Sequence, residues 1–174
     1  MTTKKLNRNV PNAFSDGSQF LLRLTYVSRA ADSLDSKQLT EILKQARINN
    51  TEKGITGILV FNKNYFLQCV EGSRIAINEL LNALVADNRH HDLQIIEARE
   101  VNERIWGEWS MDYVSPNPSN QSLFLKYSSS RDFNPYLMNA RSTEWLLNAL
   151  SEAQNQRKSH TPKSSGILAK LKIA

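Results

Sequence analysis

Apolar runs of strand length and amphipathic helical stripes alternate in this chain as strand, helix, strand, strand, helix, strand, and that order leaves few topologies open. The run from Phe20 to Val27 is apolar on both parities, which predicts a strand covered on both faces. Leu39, Ile42, Leu43 and Ala46 then fall on one helical face. Asp35 and Gln38 form a capping-box pattern at its start, and Leu34 and Leu39 are placed for a hydrophobic staple. The helix is expected to run to about Asn49–Asn50, before Gly54.

Residues 55–61 and 65–70 read as two strands. They are joined by a hairpin at Asn62-Lys63-Asn64, where Asn tolerates positive φ. Ser73 can cap a second helix, whose face is Ile77, Leu80, Leu81 and Leu84. A fourth strand is expected over Leu93 to Val101 and a shorter fifth around Trp109–Val114. The fold class is therefore α+β, a ferredoxin-like β-α-β-β-α-β unit with a fifth strand. Strands one and three are expected to be central and parallel, with both helices on one face. The other face needs a cover, because its apolar residues would otherwise form a large exposed patch. C-terminal helices can supply it: Trp145, Leu146, Ala149, Leu150 and Ala153 form an amphipathic helix after Pro135, with Trp145 burying part of the sheet. Trp106 reads as packing too.

The expected organisation is a disordered lead-in at 1–18, a core domain at 19–115, a helical cap at 116–155 and a basic flexible tail at 156–174. In that tail Arg157, Lys158, Lys163, Lys170 and Lys172 account for the whole net charge of +5, so the body is near neutral and a nucleic-acid partner is not expected. The single cysteine, Cys69, excludes an internal disulfide, and the adjacent His90 and His91 lack metal-ligand spacing. No apolar run reaches the roughly 18 residues of a membrane span. No apolar segment follows the N-terminal lysines as in a signal peptide, so a soluble cytoplasmic protein without membrane association is expected.

Strand alternation brings several polar side chains toward one crevice. Tyr26 and Gln68 are expected near the C-terminal ends of neighbouring strands, Asn49 and Asn50 end the first helix, and Arg89 follows the second. A hydroxyl, three amides and a guanidinium form a hydrogen-bonding set rather than a metal or nucleophile set. It suits a planar heterocycle with carbonyls and an N–H on its edge. Gln68 inside an apolar strand is the sharpest of these features, because a buried amide without partners costs about 1–3 kcal/mol. Each residue also has an ordinary structural reading: Gln68 near a sheet edge, Tyr26 in a core, Asn49 and Asn50 as a helix end, Arg89 as a last-turn cation, and Trp109 and Met111 as core.

The segments around Tyr26, ARINNTEKGITGILV (46–60), YFLQCVEG (65–72), DNRHHDLQII (87–96) and WSMDY (109–113) resemble those of BLUF domains, the blue-light sensors that use FAD. The resemblance covers roughly 20–115, with the motifs in order. It implies that Tyr26 bonds Gln68 and that Gln68 bonds the isoalloxazine ring. It further implies that Asn50, beside Asn49, holds the N3/C4=O edge, that Arg89 reaches the C2=O side, and that His90 lies near the cofactor. Trp109 and Met111 match the pair thought to carry the signal, and which of them faces inward stays open. Ala46 stands where some members have Ser, and Asp112 where Gly or Ala is common. The implied photochemistry uses Tyr26 as electron and proton donor and Gln68 as relay, leaving Gln68 rotated or tautomerised and the absorption red-shifted. FMN or riboflavin could replace FAD, because these contacts do not read the adenosine.

No cyclase, phosphodiesterase or kinase signature follows residue 115, so the expected protein is a photoreceptor without an output enzyme domain. It would signal through the fifth strand and C-terminal helices to a separate downstream protein, or through a change in a homo-oligomer. Two other classes share the architecture. A nucleic-acid-binding module needs exposed sheet aromatics, and an acylphosphatase-like hydrolase needs an anion-binding loop after the first strand.

Overall fold

The computed structural model describes residues 20–107, 111–129 and 133–160, with side chains described as far as 156. The element order is β1 (Leu21–Ala30), α1 (Ser36–Glu52), β2 (Thr56–Phe61), β3 (Tyr65–Ser73), α2 (Arg74–Val85), β4 (His90–Val101), β5 (Asp112–Val114), α3 (Gln121–Tyr127), a 3-10 turn (Pro135–Leu137) and α4 (Ala140–His160). The strands form one sheet in the order β4-β1-β3-β2-β5.

The local signals hold. Asp35 accepts from the Gln38 backbone N–H at 2.7 Å while Gln38 Oε1 accepts from the Asp35 N–H at 3.0 Å, closing the capping box of α1. Ser73 caps α2 by accepting from Ala76 N–H. Helix α1 runs on to Glu52 and stops where Gly54 takes φ +62°, a left-handed conformation open to glycine. Gly57 serves a different purpose: a Cβ there would lie 2.3 Å from the Cys69 carbonyl oxygen, so only glycine lets β2 approach β3. In the β2–β3 hairpin the positive φ falls on Lys63 rather than on an asparagine. Asn62 instead accepts from Tyr65 N–H at 2.9 Å and donates to the Phe133 carbonyl at 2.8 Å, tying the hairpin to the C-terminal cap.

One expectation is overturned. Strands β1 and β3 are central but antiparallel, with Tyr26 directly opposite Gln68. The reason is topological. β3 returns from β2 by a hairpin and inserts between β1 and β2, so it must oppose both, and only β2 and β5 pair in parallel. Tyr26 and Gln68 consequently meet within the strands, not at their ends.

Alternation sorts the sheet residues into two cores. Leu24, Tyr26, Leu59, Phe66 and Val70 face α1 and α2, where they meet Leu43, Ile77 and Met111. Val27, Ile58, Val60, Leu67 and Cys69 face the cap, where they meet Trp106, Phe124, Phe133, Leu146, Leu147 and Leu150. Trp145 does not bury the sheet face: it is 52% exposed. Trp106, at 1% exposure, fills that core from the β4–β5 connection, and Leu147 takes the place on α4 that Trp145 was expected to hold. Both faces are covered, which leaves no aromatic platform for base stacking among the described residues. Helix α4 runs to His160, past the 155/156 boundary expected from composition. β5 begins at Asp112, and Trp109 lies outside the described residues.

Beneath the cap runs a charged cluster that periodicity did not reveal. Glu71, fully buried, receives Arg23 Nε at 2.8 Å and the backbone N–H groups of Ile105 and Trp106 at 3.0 and 3.1 Å. Arg23 also reaches Glu144 of α4 at 3.0 Å, and Arg99 reaches the same carboxylate at 2.6 Å. The cluster therefore ties the β4–β5 connection and α4 to the sheet centre.

Cys69 sits on this cap-side face, opposite in parity to Gln68. Burial pushes its thiol up to about 12. The folded protein is expected to resist iodoacetamide near neutral pH and to be alkylated fully once denatured, a difference read by intact mass.

Candidate functional site

A cavity of about 230 Å³ lies between α1 and α2, floored by β1 and β3. It is smaller than the roughly 300–1,000 Å³ of a typical ligand cleft, a size for one ring system rather than a whole dinucleotide. Its walls are apolar where the helices face it, through Ile42 and Ala46 of α1 and Leu80 and Leu84 of α2. Its floor sets Tyr26, Ser28 and Gln68 among the apolar Leu59 and Phe66, and its rim is polar.

Tyr26 and Gln68 on the floor begin a chain of three side chains that continues to Met111. The Tyr26 hydroxyl donates to Gln68 Oε1. Gln68 Nε2 donates to Met111 Sδ at 3.1 Å. All three residues are buried. Burial, with a smaller contribution from the Asp87 charge, holds the Tyr26 hydroxyl far above its ordinary range, so it stays a protonated donor. Irregularities in the β1–β4 register flank Tyr26, which is how bulges re-aim side chains beside sites. Met111 is in turn held by its backbone carbonyl, which accepts from Arg47 Nε at 3.2 Å. Met111 thus faces the glutamine in this structure.

The rim residues differ in what they offer. Asn50 is 2% exposed, and its carbonyl accepts from Ile55 N–H at 2.8 Å to close α1. Asn49 is exposed, and its Oδ1 takes the Gln45 side-chain amide at 2.8 Å, so it serves as a helix-end residue that also borders the cavity. Arg89 borders the cavity with its guanidinium committed to Asp87, at 2.8 Å from Nε and 2.5 Å from Nη2. Arg89 holds the Asp87 carboxyl below its usual range, and Asp87 is a rim residue that the sequence reading missed. His90 lies edge-on to Phe66, and both its ring nitrogens are shielded without a partner among the described residues. Desolvation lowers its pKa and favours the neutral imidazole, which can donate from one nitrogen and accept at the other.

Ser28 was also missed. Its hydroxyl is buried at the cavity with no partner among the described residues. Its signal was available: two residues beyond Tyr26 on the same strand, it must share that face. Unpaired buried polar groups are rare, and Ser28 and His90 together mark a place where a polar ligand edge belongs.

A family profile described as sensors of blue-light using FAD matches residues 21–112. This chain belongs to the BLUF family. Among solved structures, the photo-activated state of BlsA superposes with a TM-score of 0.69 at 31% identity, covering 75% of this chain and 94% of that one. The dark state of BlrB, a BLUF protein, gives 0.67 at 27% identity, covering 78% and 98%. Curated relatives include the beta subunit of a photoactivated adenylate cyclase from Euglena gracilis, 29% identical over 102 residues that make up 58% of this chain and 12% of that protein. The blue light- and temperature-regulated antirepressor BluF of Escherichia coli is 32% identical over 73 residues, 42% of this chain and 18% of that protein. The chain thus spans a small fraction of these curated relatives. The BLUF profile ends at residue 112, where β5 begins. The cavity suits the family's cofactor: a largely apolar pocket that also offers amide, hydroxyl and imidazole groups fits a flavin ring, and no group of three or more potential metal ligands occurs among the described residues.

Proposed function

We propose that this BLUF protein holds the flavin of FAD between α1 and α2, with Gln68, Asn50, Arg89 and His90 around its polar edge and Asn49 at the rim. The observation that carries this reading is the buried Tyr26–Gln68–Met111 chain beside the Ser28 hydroxyl and His90 ring nitrogens, which have no hydrogen-bond partner among the described residues. When bound, FAD supplies the absorption of blue light and a ring edge of hydrogen-bonding atoms. FMN and riboflavin present the same edge.

The chain's own residues supply the switch. Tyr26 is the proton donor and Gln68 the group that turns. An amide has a donor end and an acceptor end, so rotating Gln68 exchanges what it offers to Tyr26 and to Met111. The thioether then loses the N–H it now receives. Each bond is neutral and worth about 1 kcal/mol net, so the two arrangements are close enough in energy to interchange.

The change can leave the site through β5. Met111 precedes β5, and the Tyr113 carbonyl in β5 accepts from Gln154 Nε2 of α4 at 2.9 Å. This contact supports signalling through β5, with Trp109 and Met111 before it, to α4; in this proposal the signal then passes to a separate protein in the cytoplasm. No helix among the described residues is long and apolar enough to cross a membrane.

The visible spectrum tests the reading. The purified protein should be yellow, or become so with added FAD, and blue light should shift its absorption reversibly to the red. A protein that cannot be reconstituted with any flavin refutes it.

A further inference from the structure

We propose that the outward face of α4 is a homodimer interface, on which two copies pair antiparallel about a two-fold axis beside Leu146 and Leu147. This assembly is independent of the light-sensing reading, because it uses no residue of the flavin cavity.

α4 is held to the sheet at two places. Glu144 is bound by Arg23 and Arg99, and Gln154 by the Tyr113 carbonyl. These contacts, with Leu146, Leu147 and Leu150 buried beneath, fix which face of the helix points outward. At helical spacing that outward face carries Arg141, Trp145 and Glu152, with the half-buried Asn148, its Oδ1 shielded, between them. Trp145 is 52% exposed although it is the largest apolar side chain on the helix, and Arg141 and Glu152 are exposed as well. Among the described residues neither Arg141 nor Glu152 has an ion-pair partner. The Arg141 guanidinium lies 5.9 Å from the Trp145 ring centroid, and Tyr127 of α3 flanks the same indole at 6.5 Å.

The face is self-complementary. A closed two-fold contact brings each patch against its own copy, so the patch must carry both halves of every pair. Antiparallel pairing about a point between residues 146 and 147 sets Arg141 opposite Glu152 of the other copy, twice, and Trp145 opposite Asn148. At 1.5 Å rise per residue, the two indoles then lie about 4.5 Å apart along the axis, side by side at its centre. Aromatic groups at the centre with charges at the margin is the usual anatomy of an interface. A different partner that was simply acidic would match Arg141 but meet Glu152 with like charge. A second copy matches both. The contact is one helix pair flanked by α3, at the small end below roughly 1,200 Å², so the dimer should be concentration-dependent.

Sedimentation of the full, flavin-loaded chain in the dark, over a dilution series, tests this. The wild type should move from the mass of two chains to that of one on dilution. Trp145→Ala should weaken the dimer by at least about tenfold, which is ~1.4 kcal/mol. Arg141→Glu and Glu152→Arg should each weaken it through facing like charges. The double variant should restore it, a rescue that no general loss of folding could imitate. A wild type that is monomeric throughout overturns the proposal. So does a dimer indifferent to Trp145→Ala, or a double variant no better than the singles. Monomers that bind a different protein through Trp145 would assign the face to that partner and likewise overturn it.

Discussion

Replacing Gln68 with Leu is expected to leave a yellow protein whose spectrum no longer shifts in blue light. Leu keeps the volume but neither accepts from Tyr26 nor donates to Met111. Nothing is left to rotate, so the two hydrogen-bond arrangements collapse into one. Tyr26→Phe should produce the same silence from the other side, by removing the donor that Gln68 now answers. Neither change opens the apolar walls of the cavity, so flavin should stay bound. Both should cost stability of about 1–3 kcal/mol, because each strands one buried polar partner. Difference spectra before and after illumination, set beside the flavin-to-protein ratio, check the claim. A full reversible shift in Gln68→Leu would refute the role given to the amide.

Glu71→Gln should lower stability more than any exposed charge change. The carboxylate is fully buried, its partner Arg23 is 5% exposed, and two backbone N–H groups of the β4–β5 connection also depend on it. The buried Arg23 is then left with only the part-exposed Glu144, so the loss should lie near the lower end of the about 3–5 kcal/mol for breaking a buried pair. At roughly 2–4 °C per kcal/mol for a chain of this size, the melting temperature should fall by on the order of 10 °C. Glu79→Gln is the control. Its pairing with Lys53 is exposed on both sides, and losing it should cost under about 1 kcal/mol. Thermal melts compare the two. Glu71 faces the cap and Gln68 faces the helices, so the surviving folded Glu71→Gln protein should still shift its spectrum. Equal melting temperatures for the two variants would show that the cluster contributes little.

Much of the fold is local and was legible. The period of apolar residues set strand and helix identities, and Asp35, Gln38 and Ser73 marked helix starts, because those interactions close within a few residues. The site residues on the sheet were legible by parity, and Ser28 could have been read the same way. Asp87 was harder. Its pairing with Arg89 is local, yet the sequence alone does not show whether that guanidinium is free or committed.

The amino-acid sequence by itself determined the element order, the two-faced burial of the sheet, the need for a C-terminal cover, and the BLUF motifs that place Tyr26 and Gln68 on one face. The tertiary structure decided the rest. It made β1 and β3 antiparallel, since direction follows from where a hairpin strand inserts and not from its composition. It buried Trp106 in the cap-side core, as packing, but left Trp145 52% exposed, since the contacts of α4 turn Leu146, Leu147 and Leu150 inward instead. It joined Arg23, Glu71, Glu144 and Arg99 across distances in sequence that no periodicity spans. Local spacing encodes which face a residue takes, whereas the partner it meets on that face depends on how the layers close over one another.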